Sequence, residues 1–130
     1  MKIAIVILNY NGVELLKRFL PVLIECSEGQ DIYVIDNASS DQSLDLLSAQ
    51  FPRVKQIELD QNYGYAGGYN KGLSQIDATH FCLLNSDVEV SHNWLQPVIE
   101  TFSKSETTAI IQPKIKAIRQ RDYFEYAGAS

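Results

Sequence analysis

Asp87 closes a short polar run, Asn85-Ser86-Asp87, which follows the apolar stretch Phe81-Cys82-Leu83-Leu84. A carboxylate thrown out beyond a buried strand is a natural ligand for a hard divalent cation. When a nucleotide diphosphate brings its own oxygens, the protein need add only one or two carboxylates. Mg²⁺ or Mn²⁺ held that way stabilises a departing diphosphate as a Lewis acid, with no proton required. Asn85, two residues earlier, would face the same side of an extended segment, and its carbonyl could join the shell directly or through water. Glu89 shares that period, although a surface charge accounts for it better.

Two more polar clusters end apolar runs: Asn9-Tyr10-Asn11 after Ile3 to Leu8, and Asp36-Asn37 after Ile32 to Ile35. Asp36 could accept the imide N–H of a base, which selects uracil or thymine. Tyr10 offers a flat face for stacking, worth ~1–3 kcal/mol by analogy with single-strand binders. One such cluster is commonplace. Three of them, on parallel strands, would share one rim, and open α/β sheets bind ligands outside the carboxyl ends of their strands. The plainer accounts are that Asp87 solvates a loop, Tyr10 is a half-buried loop aromatic and Asp36 caps a helix.

The elements that must position these groups alternate. Ile3 to Leu8 reads as a buried strand ending in the turn Asn9-Tyr10-Asn11-Gly12. Leu15, Leu16, Phe19, Leu20, Leu23 and Ile24 then recur at helical spacing, with Pro21 inside as a kink or restart. A second strand, Ile32 to Ile35, leads to Ser39 and Ser40 as N-cap candidates of a short helix that Pro52 ends. Val54 to Leu59 alternates as a third strand. A glycine-studded loop from Asp60 runs into a helix ending near Ile76. Thr79 to Leu84 is a fourth strand, and its apolar run predicts burial on both faces. Ser91 caps a helix with Trp94, Leu95, Val98, Ile99 and Phe102 inside. Thr107 to Ile118 reads as a fifth strand interrupted at Pro113, and Arg119 to Ser130 is mixed. Alternation in ~30-residue units implies a mostly parallel sheet with helices on both faces.

The glycine stretch carries no GxGxxG. Gly67 to Gly72 has P-loop spacing, but Leu73 stands where lysine must be. What remains is a close-approach loop opening a helix whose N-terminus attracts anions, with Lys71 as a candidate phosphate contact. Net charge is −5 and the basic residues form no stripe, which argues against nucleic acid as a partner. Cys26 and Cys82 lack metal-type spacing and read as reduced core residues of a cytoplasmic protein. The N-terminal apolar run is too short for a membrane span. At 130 residues the chain suits one domain, 1–130.

Four stretches in order, Val6-Ile7-Leu8-Asn9-Tyr10-Asn11-Gly12, Val34 to Asp41, Asn62 to Asn70 and Leu83 to Val88, resemble the nucleotide-binding half of family 2 glycosyltransferases, and most closely their rhamnosyltransferase-like members. The resemblance implies a three-layer, Rossmann-like GT-A fold and inverting transfer from a UDP- or dTDP-sugar to a hydroxyl of a saccharide or lipid-linked saccharide acceptor, as in cell-surface polysaccharide synthesis. It implies a nucleotide site at Leu8, Asn9, Tyr10, Asp36, Asn37, Asn62, Gly67, Lys71 and Ser86, and a metal at Asn85 and Asp87, standing for the Asp-x-Asp motif. Asn85 replaces that motif's first acid. Tyr69 stands where many relatives carry Arg, so a phosphate contact is either absent or passed to Lys71. Such enzymes carry an acceptor half that supplies the catalytic base, and Glu89, Glu100, Glu106, Asp122 and Glu125 fall in no base motif. The expectation is therefore a truncated, donor-binding piece with its base beyond residue 130. The full enzyme would be cytoplasmic or peripheral at the inner membrane face. The alternative is a non-catalytic nucleotide-binding or regulatory α/β module. A receiver-type domain is disfavoured because Asn9 and Asn11 are not acids.

Overall fold

The computed structural model describes residues 1–116 and 124–126. They divide into two compact units, Met1–Val90 and Ser91–Ser130.

The first unit starts with β1 (Ile3–Asn9), whose Ile3, Ala4, Ile5, Val6 and Ile7 are all buried. A strand apolar at every position belongs in the middle of a sheet covered on both faces. The other strands are β2 (Asp31–Asp36), β3 (Lys55–Glu58) and β4 (His80–Leu84). All pair in parallel in the order β3-β2-β1-β4. Between them run α1 (Val13–Cys26), α2 (Ser43–Gln50) and α3 (Gly64–Leu73).

The chain lays down β1, β2 and β3 in one direction, then returns to place β4 on the far side of β1. Parallel crossovers are right-handed, so α1 and α2 cover one face and α3 the other. On the α3 face Ala4, Val6 and Ile35 pack with Ile57, Leu59, Tyr69 and Ile76. Helix α1 buries Leu16, Phe19, Leu20 and Leu23 at its three-and-four spacing. It runs unbroken through Pro21, whose ring is exposed on the outer side, where water can take over the bond that proline cannot make. The strand order reverses at β1, the kind of point where α/β sheets form a ligand crevice.

Three local expectations change in this unit. Strand β4 is not buried on both faces: Phe81 and Leu83 are 42% and 51% exposed. Among the described residues it is an edge strand, paired with β1 alone, while α3 packs over β1 and β2. The glycine-rich stretch is helix from Gly64 onward. A Cβ at Gly68 would stand 2.8 Å from Leu8 Cδ1, and one at Gly72 would stand 2.2 Å from Ile35 Cδ1. These glycines let the helix backbone settle onto the strands. Neither Ser39 nor Ser40 caps α2. Asp41 does so instead, its Oδ1 accepting from Ser43 N at 2.9 Å and Ser43 Oγ at 2.5 Å. Its Oδ2 accepts Val13 N at 3.1 Å, so the same carboxylate also caps α1. Partial burial pulls the Asp41 pKa up, but the bonds from Ser43 and Val13 outweigh it and leave the carboxyl below its ordinary 3.8.

In the second unit Ser91 does not cap a helix directly. A turn closes from Trp94 N to Ser91 O, and α4 (Gln96–Lys104) begins afterwards with Pro97 in its first turn. The fifth strand expected over Thr107 to Ile118 shrinks to β5 (Ile115–Lys116), antiparallel to β6 (Phe124–Tyr126). Pro113 has no N–H to give a ladder just before it. Residues 117–118 of that stretch, and the tail apart from β6, lie outside the described residues.

Candidate functional site

Because β1, β2 and β4 run parallel, their carboxyl ends lie along one edge of the sheet. Asn9 pairs in register with Asp36, and Ile7 with Leu84. The three polar clusters that follow therefore share that edge.

Beneath it lies a buried polar knot. Asn9 and Asp36 are each 1% exposed. Asn9 Nδ2 donates to Asp36 Oδ1 at 2.9 Å and to Ser39 Oγ at 3.3 Å. Ser39 donates twice to the same carboxylate, from its backbone N to Oδ2 at 2.9 Å and from its Oγ to Oδ1 at 2.7 Å. A buried carboxylate is tolerated only with donors of this kind. Asp36 thus sits under the rim with both oxygens engaged, tying the end of β1 to the loop after β2. Asn11, at φ 50°, extends the stitching: its Oδ1 accepts from Ser40 N at 2.7 Å and Asp41 N at 3.1 Å. Asn9 Oδ1 is buried with no hydrogen-bond partner among the described residues. A Cβ at Gly12 would lie 2.6 Å from it, so the turn tolerates nothing larger than glycine there.

Above the knot opens a cleft of about 270 Å³ lined by Leu8, Tyr10, Asn37, Asn62, Gly64 and Tyr65. Tyr10 is 53% and Tyr65 65% exposed. The Asn37 amide is gripped at both ends, Nδ2 donating to Gly64 O at 3.0 Å and Oδ1 accepting Tyr63 N at 2.9 Å. Asn62 Oδ1 accepts Gly64 N at 2.8 Å. Two asparagines thus fix the first turn of α3, whose positive end opens towards the rim. A second cavity, of about 250 Å³ and lined by Ile24, Ser27, Gln30, Asp31, Ile32, Arg53 and Val54, lies at the opposite, amino end of β2. No strand carboxyl end reaches it.

On the β4 side the strand stops at Leu84 and Ser86-Asp87 form a turn, so the extended-segment alternation expected for Asn85 and Asp87 does not apply. Both side chains are exposed. Tyr65 bridges towards them, its hydroxyl donating to Asn85 Oδ1 at 3.4 Å. Its ring meets Tyr69 edge-on, 5.1 Å between centroids and 77° between planes. Tyr69 is buried, its hydroxyl 3.5 Å from Leu84 O, and burial, reinforced by Tyr65, pushes its phenol well above the usual tyrosine value. Among the described residues no group of three or more His, Cys, Asp or Glu is disposed to hold a metal. One carboxylate, one amide carbonyl and the Ser86 hydroxyl make no cage. They fit a hard cation that arrives on a diphosphate and keeps some of its water.

Lys71 is not brought to the cleft. Its Nζ lies 4.9 Å from the centre of the Tyr63 ring. It is seven residues into α3, about 10 Å along the axis from the first turn. There it also adds to the effect of the Tyr63 hydroxyl in lowering the Asp60 carboxyl. Gly67 packs against Tyr63 Cβ rather than against open space. Sequence reasoning missed Gly64 and Tyr65 in the lining and Ser39 and Asp41 in the scaffold. The signal available was the Asn62-Tyr63-Gly64 sequence, which caps a helix through an Asx turn and so places Tyr65 in its first turn.

The doubly wound order, with its crevice at β1, defines a nucleotide-binding α/β domain of the GT-A type. A solved S. aureus protein, TarS residues 1–349, superposes with a TM-score of 0.70 at 18% identity, covering 90% of this chain and 40% of that one. A second TarS structure, in complex with UDP-GlcNAc, gives 0.69 over 93% of this chain. Residues 4–127 match glycosyl transferase family 2, and the chain belongs to that family. Mouse polypeptide N-acetylgalactosaminyltransferase 16 is 33% identical over 101 residues, which is 78% of this chain but 18% of that enzyme. No helix among the described residues is long and apolar enough to cross a membrane.

Proposed function

We propose that this chain is the donor-binding part of an inverting glycosyltransferase that takes a nucleoside-diphosphate sugar, UDP- or dTDP-linked. The observation that carries this reading is the convergence of a cleft, a helix N-terminus and a carboxylate-bearing turn at the point where strand order reverses. The base lies in the cleft of Leu8, Tyr10, Asn37 and Asn62. Asn9 and Asp36 hold the rim from below, Gly68 lets α3 lie close against Leu8, and Gly67 stands in the first turns of that helix. The diphosphate runs towards Asn85-Ser86-Asp87, where Asp87 and Asn85 would hold Mg²⁺ or Mn²⁺. That cation would neutralise charge developing on the departing diphosphate.

In the transfer the acceptor hydroxyl oxygen attacks the anomeric carbon and the bond from that carbon to the β-phosphate oxygen breaks. The hydroxyl proton passes to a carboxylate base. The chain spans less than half the length of the relatives it matches. The mouse relative is named as an N-acetylgalactosaminyltransferase and TarS is solved in complex with UDP-GlcNAc, so an N-acetylhexosamine donor stands beside the rhamnosyl donor implied by the resemblance of the four stretches.

Calorimetric titration with UDP and dTDP, with and without Mn²⁺, tests the reading. Metal should tighten binding at least tenfold, and Asp87→Ala should remove that gain while leaving metal-free binding intact. Metal-enhanced binding that survives Asp87→Ala places the diphosphate elsewhere.

A further inference from the structure

We infer that the Tyr65 hydroxyl is a positioning group for the turn after β4: it fixes which end of the Asn85 amide is offered to a cation. This inference rests on Asn85-Ser86-Asp87 being the turn that meets the cation of a metal–diphosphate donor.

Asparagine and aspartate share a shape but not a symmetry. Either oxygen of a carboxylate can ligate a hard cation. An amide has one end that can, the carbonyl, and one that repels it, the NH₂. An exposed asparagine free to turn presents both. Asn85 is exposed, and the hydrogen bond that orients it among the described residues runs from the Tyr65 hydroxyl to Oδ1, at 3.4 Å. Tyr65 also lines the cleft, so the carbonyl is the end held on that side. A carbonyl oxygen has two lone pairs, and the phenol uses one, leaving the other for a ligand. A hydrogen bond of this kind biases an orientation by about threefold to tenfold.

Tyr65 serves as a fixed reference because it is itself held. It stands in the first turn of α3, whose start is pinned by Asn37 through Gly64 O and Tyr63 N. Gly68 and Gly72 set the backbone of that helix against Leu8 and Ile35. Tyr69, one turn further on and 4% exposed, meets the Tyr65 ring edge-on. Its own hydroxyl lies 3.5 Å from Leu84 O. Two phenols of one helix therefore meet consecutive residues where β4 ends, one at the Leu84 backbone and one at the Asn85 side chain. Asp87 needs no such partner, since its carboxylate has two equivalent oxygens.

The test reads the metal gain, the ratio of UDP affinity with Mn²⁺ to that without it, by calorimetric titration of the whole chain. Each variant's metal-free affinity is its own reference, so a change in how Tyr65 lines the cleft cancels. Wild type should show a gain of about tenfold or more. Tyr65→Phe keeps the ring and loses the hydroxyl, and should lower the gain by about threefold to tenfold. Asn85→Ala should lower it as well, and Tyr65→Phe added to Asn85→Ala should lower it no further. Beside Asn85→Asp, Tyr65→Phe should cost nothing, because a carboxylate has no wrong end. A Tyr65→Phe chain that keeps the wild-type gain, or that loses as much beside Asn85→Asp as beside Asn85, overturns the positioning role. If Asp87→Ala still abolishes the gain in that case, the donor reading stands without it. A wild type with no metal gain overturns the donor–cation reading and the inference together.

Discussion

Gly72→Ala puts the packing of the site's main helix to a quantitative trial. In an exposed helix the change would stabilise by about 1 kcal/mol, because alanine is the better helix former. Here the added methyl would meet three Ile35 carbons, Cδ1 at 2.2 Å, Cγ1 at 2.5 Å and Cγ2 at 2.8 Å. Ile35 is 0% exposed near the carboxyl end of β2, so it has no room to retreat. Overpacking of a closed core costs ~1–3 kcal/mol, towards the upper end when backbone must shift. The clash wins, and a net loss of about 1–2 kcal/mol is expected. Gly67→Ala is the internal control: its Cβ would meet only Tyr63 Cβ, at 3.1 Å, so the propensity gain survives and stability is unchanged or slightly raised. Urea unfolding followed by circular dichroism reads both, with the Gly72 variant's midpoint about 1 M lower for an ordinary urea dependence. Ile35→Val removes the nearest carbon and should cost less in the Gly72→Ala background than alone. If Gly72→Ala matches Gly67→Ala, α3 does not lie as close to β2 as described and the cleft's geometry fails with it.

Other expectations concern ionisation and capping. Asp41→Ala removes caps from α1 and α2 together and should destabilise by about 2 kcal/mol, roughly one per cap, in thermal or urea unfolding. Since the folded carboxyl lies below 3.8, its contribution is complete above that value and disappears as pH falls through the lower folded one. Wild type should therefore lose more stability than Asp41→Ala on acidification below about pH 4. Burial pushes the Cys82 thiol up to about 11, so it should react with iodoacetamide at pH 8 far more slowly in the folded chain than in urea. Its effect on stability is intact below 9.0 and is lost as pH rises from there through about 11.

What could be read in advance, and what could not, divides along physical lines. The run Ile3 to Leu8 identifies a central strand because nothing polar interrupts it, and alternation of strands and helices makes the sheet parallel. The shared edge for the three polar tips follows from that direction. The exposure of Phe81 and Leu83 was hidden, because an apolar run does not state which strands flank it. Strand order does. The helical start at Gly64 was hidden because local propensity counts each glycine against a helix, whereas contact with Leu8 and Ile35 reverses that preference. Without that start, Tyr65 had no visible place at the rim. Asp36 looked like a ligand group because its oxygens carry no mark of being engaged. The return of Ser39 three residues later, and of Asn9 from another strand, appears only in three dimensions.

The central strand also sets a timetable. Asn9 meets Asp36 across 27 residues, whereas Lys2 meets Thr79 across 77. Closing the longer loop costs only about 1 kcal/mol more, so the delay is one of synthesis and search rather than of stability. As the chain leaves the ribosome, the half of the cleft carrying Tyr10 and Asn37 can assemble while β4 is still unmade. Until Thr79 emerges, the outer side of β1 is a bare ladder of amides and carbonyls beside an apolar surface, the window in which a nascent chain is most open to pairing with the wrong neighbour.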